Sequence, residues 1–143
     1  MKFPIYLDYN ATAPTDPRVV EAMMPYFTQT YGNAASRNHQ FGWEAEQAVE
    51  KARDLLGETI GGGGREIVLT SGATESNNLA ILGVADFYKE KGRHIITSPV
   101  EHKAVIDPCQ ALEQRGCDVT FLDVDDDGCI SLEQLEKSIR PDT

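Results

Sequence analysis

Leu69 to Asn78 run Leu-Thr-Ser-Gly-Ala-Thr-Glu-Ser-Asn-Asn, directly after Glu66-Ile67-Val68. A short buried strand that stops at a glycine and passes at once into a helix leaves the first helical N–H groups without an acceptor. They lie beside the positive end of the helix dipole. Such a turn is a ready site for an anion, and a phosphate-bearing ligand is the natural guess. Ser71 and Thr74 add hydroxyl donors, and Gly72 lets the backbone approach a ligand closely. The same residues also suit an ordinary strand-to-helix turn capped by Thr74. Taken alone the segment favours that simpler use, because Ser-Gly-x-Thr turns are common.

A second group lies in Thr97-Ser98-Pro99-Val100-Glu101-His102-Lys103-Ala104-Val105. His102 is expected to open a helix just past a strand end. An imidazole there can stack on a planar ring or move protons near neutral pH; a lone histidine at such a place would more simply face solvent. A third group, Asp123-Val124-Asp125-Asp126-Asp127-Gly128-Cys129-Ile130, follows the first eight positions of a calcium-binding EF-hand loop. The bidentate glutamate of that loop is missing, since Gln134 holds its place and Glu133 comes one residue early. Cys117–Leu122 alternates like a strand rather than an entering helix, so a turn is the better reading, with weak calcium binding at most. Cys109, Cys117 and Cys129 have no metal-ligand spacing, and no metal site is expected.

The elements that must position these groups follow from local signals. Residues 1–15 are expected to be extended. Asp16 caps a helix with Pro17 at its first position, running to about Gln29 with Val19, Val20, Met23 and Phe27 on one face. A Gly-Asn-Ala-Ala-Ser loop follows. A second helix is predicted from about Asn38 to Ile60, with Phe41, Ala45, Ala48, Val49, Ala52, Leu55 and Leu56 on one face. Gly61–Gly64 is read as a flexible loop; it lacks the Gly-Lys-Ser/Thr ending of a P-loop, and Arg65 leads into a strand. Beyond Arg65 the pattern is strand 66–70, helix 74–91, strand 94–98, helix 102–115, strand 118–122 and helix 131–140. This βαβαβα order predicts parallel strands joined by crossover helices, an α/β architecture. Ligands in such sheets sit at the carboxyl ends of the strands, where both the Ser71–Thr74 and Ser98–His102 turns fall.

The composition is that of an ordinary soluble protein. The 143 residues are 41% hydrophobic and 25% charged, enough for one domain with a core. A net charge of −10 argues against nonspecific binding to nucleic acid or anionic membranes. No run of about 18 apolar residues suggests a membrane span. Met1-Lys2-Phe3-Pro4 does not open a signal peptide, because Asp8 and Asn10 interrupt any apolar region. The odd number of cysteines suits reduced thiols, and a cytoplasmic location is the default expectation.

Four stretches in order carry a resemblance: Tyr6-Leu7-Asp8-Tyr9-Asn10-Ala11-Thr12-Ala13-Pro14; Gly32–Ser36 with Arg37-Asn38-His39; the Ser71–Asn78 segment; and Thr97–Val105. Together they resemble the N-terminal portion of the pyridoxal-phosphate-dependent cysteine desulfurases, in the class-V aminotransferase group of fold-type-I enzymes. The likeness covers essentially the whole chain and is nearest to the desulfurases that feed iron–sulfur cluster assembly.

The resemblance implies a specific reading. The cofactor would be pyridoxal 5′-phosphate, the substrate L-cysteine, and the products L-alanine and an enzyme persulfide. Ala73 and Thr74 match the family's contacts to the cofactor phosphate. His102 matches the histidine that stacks on the pyridine ring and assists proton transfer. Asn10, Ala11 and Thr12 match a segment lining the substrate side of the pocket, although a plain turn fits them equally well. Asn33, Ser36 and His39 match a segment near the active site or the dimer contact, with a structural role favoured for His39. Glu75 would repel a phosphate if it pointed inward, so it is given a structural role. Lys103 is not the lysine that attaches the cofactor, which in the family comes much later after a Ser-x-His pattern. None of the three cysteines matches the family's persulfide cysteine. The family is homodimeric and passes sulfur to an iron–sulfur scaffold protein.

Residues 1–64 correspond to the family's N-terminal segment and helices, and 65–143 to the βαβαβα part of its large domain. The family continues past the point matched by Arg140–Thr143 into the aspartate that pairs with the pyridine nitrogen, the lysine and the persulfide cysteine. A fragment, inactive alone and with an incomplete sheet, is therefore expected. Its exposed apolar edges and faces would be an aggregation hazard. Two other classes of function compete: another class-V enzyme, such as a selenocysteine lyase or an aminotransferase, and a noncatalytic calcium-binding or truncated regulatory module.

Overall fold

A computed structural model describes residues 4–143, which form two compact units, one ending at Val68 and one spanning Leu69–Thr143. The expectation for residues 1–15 falls partly on Met1–Phe3, outside the described residues. From Pro4 onward the chain lacks regular structure up to a turn at Tyr9–Ala11, where the Asp8 carbonyl and carboxylate both accept the Ala11 N–H.

In the first unit, α1 spans Pro17–Thr28 and α2 spans Gln40–Thr59. Asp16 caps α1 by accepting the Arg18 N–H at 2.8 Å, and Pro17 takes the first helical position, where its missing donor costs nothing. His39 caps α2 by accepting the Gly42 N–H on its ring Nδ1 at 3.2 Å. His39 thus has a structural use. The glycine run that follows is not a flexible loop. The Gly62 N–H returns to the Gly57 carbonyl at 2.8 Å and the Gly61 N–H to that of Glu58 at 3.2 Å. With Gly61 at φ 77°, this is a Schellman cap closing α2. Gly57 allows the chain to fold back so closely that a Cβ there would lie 2.6 Å from the Gly63 backbone. Arg65 accordingly sits in a 3-10 turn, Gly64–Glu66, braced by the Glu66 carboxylate accepting the Gly63 N–H at 2.7 Å.

The predicted strand at 66–70 does not form. Ile67 is extended, but residues 67–70 join no ladder. A strand is defined by its neighbour, and none is paired with this segment among the described residues.

The second unit holds α3 (Ala73–Phe87), β1 (His94–Thr97), α4 (Lys103–Gln114), β2 (Asp118–Phe121) and α5 (Leu132–Ser138). β1 and β2 are parallel, with His94 opposite Asp118 and Thr97 opposite Phe121, and α4 makes the crossover. α4 packs against both α3 and β2. Ala104, Pro108, Cys109, Leu112 and Leu122 are the buried apolar side chains of this unit. His94, 5% exposed, is buried among them, its ring nitrogens 2.7 Å from the Thr143 hydroxyl and 2.8 Å from that of Thr120. The His94 N–H donates to the Asp142 carbonyl, and Arg140 pairs with Asp118 and Asp142. The chain after α5 is therefore fastened beside β1. No helix among the described residues is long and apolar enough to cross a membrane.

Candidate functional site

α3 begins at Gly72 with no side-chain cap. Thr74 is therefore not the cap that the ordinary-turn reading assigned; it lies inside the first turn. The Ser76 N–H is the first in the helix to find an acceptor, on the Gly72 carbonyl at 3.1 Å. The N–H groups of Ala73, Thr74 and Glu75 donate to no acceptor among the described residues, and neither does the Thr74 hydroxyl. A Cβ built on Gly72 would meet nothing within 4 Å, so the space over the turn is open. Three outward N–H groups, a nearby hydroxyl and the dipole end make a donor set suited to a phosphate.

Ser71 is not part of that set. Its N–H and hydroxyl both donate to the Glu75 carboxylate, at 2.7 and 2.6 Å. These bonds hold the Glu75 carboxyl below the usual carboxylate range, the Ser71 hydroxyl contributing most. On the other side of the turn the Thr70 and Ser76 hydroxyls are 2.6 Å apart, and each lies 3.2 Å from the Gly72 carbonyl. The expectation that Ser71 donates to a ligand is corrected: both of its donors are already engaged. The signal was in the sequence, because a glutamate at the third helical position reaches back over the turn before it.

His102 caps α4. Its Nδ1 accepts the Ala104 N–H at 3.1 Å, so the proton of the neutral ring lies on Nε2. The preceding turn is tied by the Glu101 N–H to the Ser98 carbonyl and the Val100 N–H to the Ser98 hydroxyl. His102 is exposed, while Ala104 beneath it is buried. The first turns of α3 and α4 thus carry the candidate groups on two helices that pack on each other. Lys103 is an exposed first-turn residue.

Asn10, Ala11 and Thr12 lie in the first unit, exposed, in and just after the turn that Asp8 closes.

The acidic loop is a closed turn. The Asp125 carboxylate accepts the N–H groups of Asp127 and Cys129 at 3.0 and 2.8 Å, and Gly128 supplies φ 79°. Gln134 grips Asp123 twice, accepting its N–H at 3.1 Å and donating to its carboxylate at 2.9 Å. Val124 and Ile130 pair as an antiparallel bridge. Of the carboxylates that an EF-hand would turn on an ion, that of Asp125 accepts bonds within the loop and that of Asp123 accepts one from Gln134 of α5. Cys109 is 2% exposed, and burial pushes its thiol pKa up, with Glu101 adding to the shift. That is the reverse of what a nucleophile needs.

A cleft of about 670 Å³ in the second unit lies elsewhere. Ala80, Ile81, Val84 and Tyr88 of α3 and its C-cap face His94 and Ile95 across it. It opens at the amino end of β1, away from the carboxyl end that leads to His102, and its lining is mostly apolar but includes Lys91, Arg93 and Asp142.

Residues 5–143 match the sequence profile of the class-V aminotransferases. The chain belongs to this family. Similar class-V proteins include the cysteine desulfurase IscS of Anaeromyxobacter sp. (strain K), 57% identical over all 143 residues. IscS of Serratia proteamaculans (strain 568) is 59% identical, again over the whole chain. The chain spans about a third of these relatives, 35% and 36% of their length. Among solved structures, a NifS-like protein superposes with a TM-score of 0.90 at 40% identity, over 96% of this chain and 38% of its own. SspA in complex with cysteine gives 0.86 at 42% identity, over 96% of this chain and 39% of its own. The α/β arrangement predicted from the sequence is thus the class-V one over the length compared, with two of its strands paired.

Proposed function

We propose that this chain is the phosphate-holding part of a cysteine desulfurase that uses pyridoxal 5′-phosphate. The observation that carries the reading is the start of α3, where three N–H groups and the Thr74 hydroxyl stand free over an open glycine turn. The likeness to IscS proteins over the whole chain supports the reaction, and the cysteine-bound SspA supports the substrate.

Pyridoxal phosphate, when bound, draws electrons from the substrate Cα and so makes bonds there labile. The residues present supply the rest. Ala73 and Thr74 hold the phosphate through backbone N–H groups and the hydroxyl. His102 is assigned to the cofactor ring. Its Nδ1 is occupied by the Ala104 N–H, so Nε2 is the nitrogen through which it moves a proton. Asn10, Ala11 and Thr12 are assigned to the substrate. Sulfur then leaves L-cysteine for a thiolate: the C–S bond breaks, an S–S bond forms, a proton returns to carbon, and L-alanine and a persulfide result. Cys109 is not that thiolate, because burial keeps it protonated. A homodimer, a cytoplasmic setting and an iron–sulfur scaffold protein as sulfur acceptor complete the proposal.

The test is Thr74→Ala in a protein of the relatives' full length. Losing a hydrogen bond to a charged group costs about 1.5–3 kcal/mol, so cofactor affinity should fall roughly 10- to 150-fold. Unchanged affinity would remove Thr74 from the cradle.

A further inference from the structure

We propose that Glu75 is a positioning residue for the cofactor phosphate: its carboxylate, bonded to the Ser71 N–H and hydroxyl, holds the turn that aims the free N–H groups of Ala73 and Thr74. The inference rests on the phosphate-holding function proposed above and names the residue that prepares that site.

A carboxylate one residue past the phosphate contacts is a puzzle on charge alone, since two anions on one helix end repel. The geometry resolves it. Glu75 is the third residue of α3 and reaches backward, so its oxygen is committed to Ser71 at 2.6 and 2.7 Å. It therefore braces the residue before the glycine and leaves the groups after it free. Two further consequences follow. Ser71 is withdrawn from the donor set, which confines the cradle to the helical residues. The turn is also held from both sides, by Glu75 on Ser71 and by the Thr70–Ser76 hydroxyl pair over the Gly72 carbonyl. Gly72 is the pivot between them, and nothing crowds it. Without the brace the pivot samples other conformations, and ordering it again on binding subtracts from affinity.

The experiment measures the dissociation constant of pyridoxal phosphate, and separately of inorganic phosphate on the cofactor-free protein, at the relatives' full length. Glu75→Ala removes the brace and should weaken both about tenfold. Glu75→Gln keeps an oxygen for the Ser71 donors without the charge and should stay within about threefold of the parent. Ser71→Ala, which keeps the N–H bond and loses the hydroxyl bond, should weaken both about threefold; it carries the test should the Glu75→Ala protein not fold. Equal melting temperatures for parent and variants would separate positioning from general stability. If Glu75→Ala or Ser71→Ala binds like the parent while Thr74→Ala binds weakly, the positioning role is overturned and the cradle stands. Tighter binding by both Glu75 variants would make Glu75 a competing anion and overturn the role. A parent protein that takes up no pyridoxal phosphate overturns both readings together.

Discussion

His102 combines two tasks that an alanine variant would confound. The ring caps α4, and losing a cap costs about 1 kcal/mol of stability. In the proposed enzyme it also moves a proton, a role typically worth about 10²–10⁴-fold in rate. His102→Asn separates them, because an asparagine oxygen caps a helix well but neither stacks as an imidazole nor carries a proton at neutral pH. The expected outcome is a melting temperature close to the parent's and turnover lower by about 10²–10⁴-fold. Near-normal turnover would leave His102 as a cap alone, as His39 is on α2. The capping use of both rings could have been inferred from the sequence, since each is followed by helical periodicity. What it could not supply is which nitrogen is engaged, because that depends on the side-chain rotamer.

At the scale of elements, the loop after β2 decides between an enzyme segment and a calcium module. Three aspartates in a row, Asp125 to Asp127, make a dense local charge. Asp125 closes the turn, and Gln134 is bonded twice to Asp123. An ion there would still lack a bidentate carboxylate at the place Gln134 holds. Calorimetric titration should show no calcium binding tighter than about 10⁻⁵ M, the range of sensor sites. A tighter site would restore the binding-module reading. The glycine run teaches the opposite lesson about elements. Gly61–Gly64 looks disordered by composition, yet it forms a Schellman cap because a helix end demands a positive φ just where Gly61 stands.

The whole molecule is short of buried surface. Among the described residues the buried apolar side chains are few: Ala45, Ala104, Pro108, Cys109, Leu112 and Leu122. Phe87 is 79% exposed, Leu132 70% and Leu7 84%. Apolar area in water is the main driving force left unused, so the 143-residue chain by itself should bind a hydrophobic dye strongly and associate as its concentration rises. It should also release no sulfide from cysteine in the presence of pyridoxal phosphate, since no residue matching the family's cofactor lysine or persulfide cysteine lies within it. Stoichiometric cofactor uptake with repeated turnover would show that a local side chain replaces them.

The start of α1 was legible in the sequence because Asp16 and Pro17 set it within a few residues. The helix start proposed to hold a phosphate was legible for the same reason, since its donors are backbone groups where α3 begins. Tertiary structure decided the rest. It left residues 67–70 without a ladder, because a strand exists only through its neighbour. It turned His94, an unremarked strand residue, into a buried bridge between Thr120 and Thr143, because β1 lies beside β2 on one side and the chain after α5 on the other. Local signals specify where an element begins and ends; which partner covers its edges and faces is a property of chain segments far apart in sequence, and only their packing reveals it.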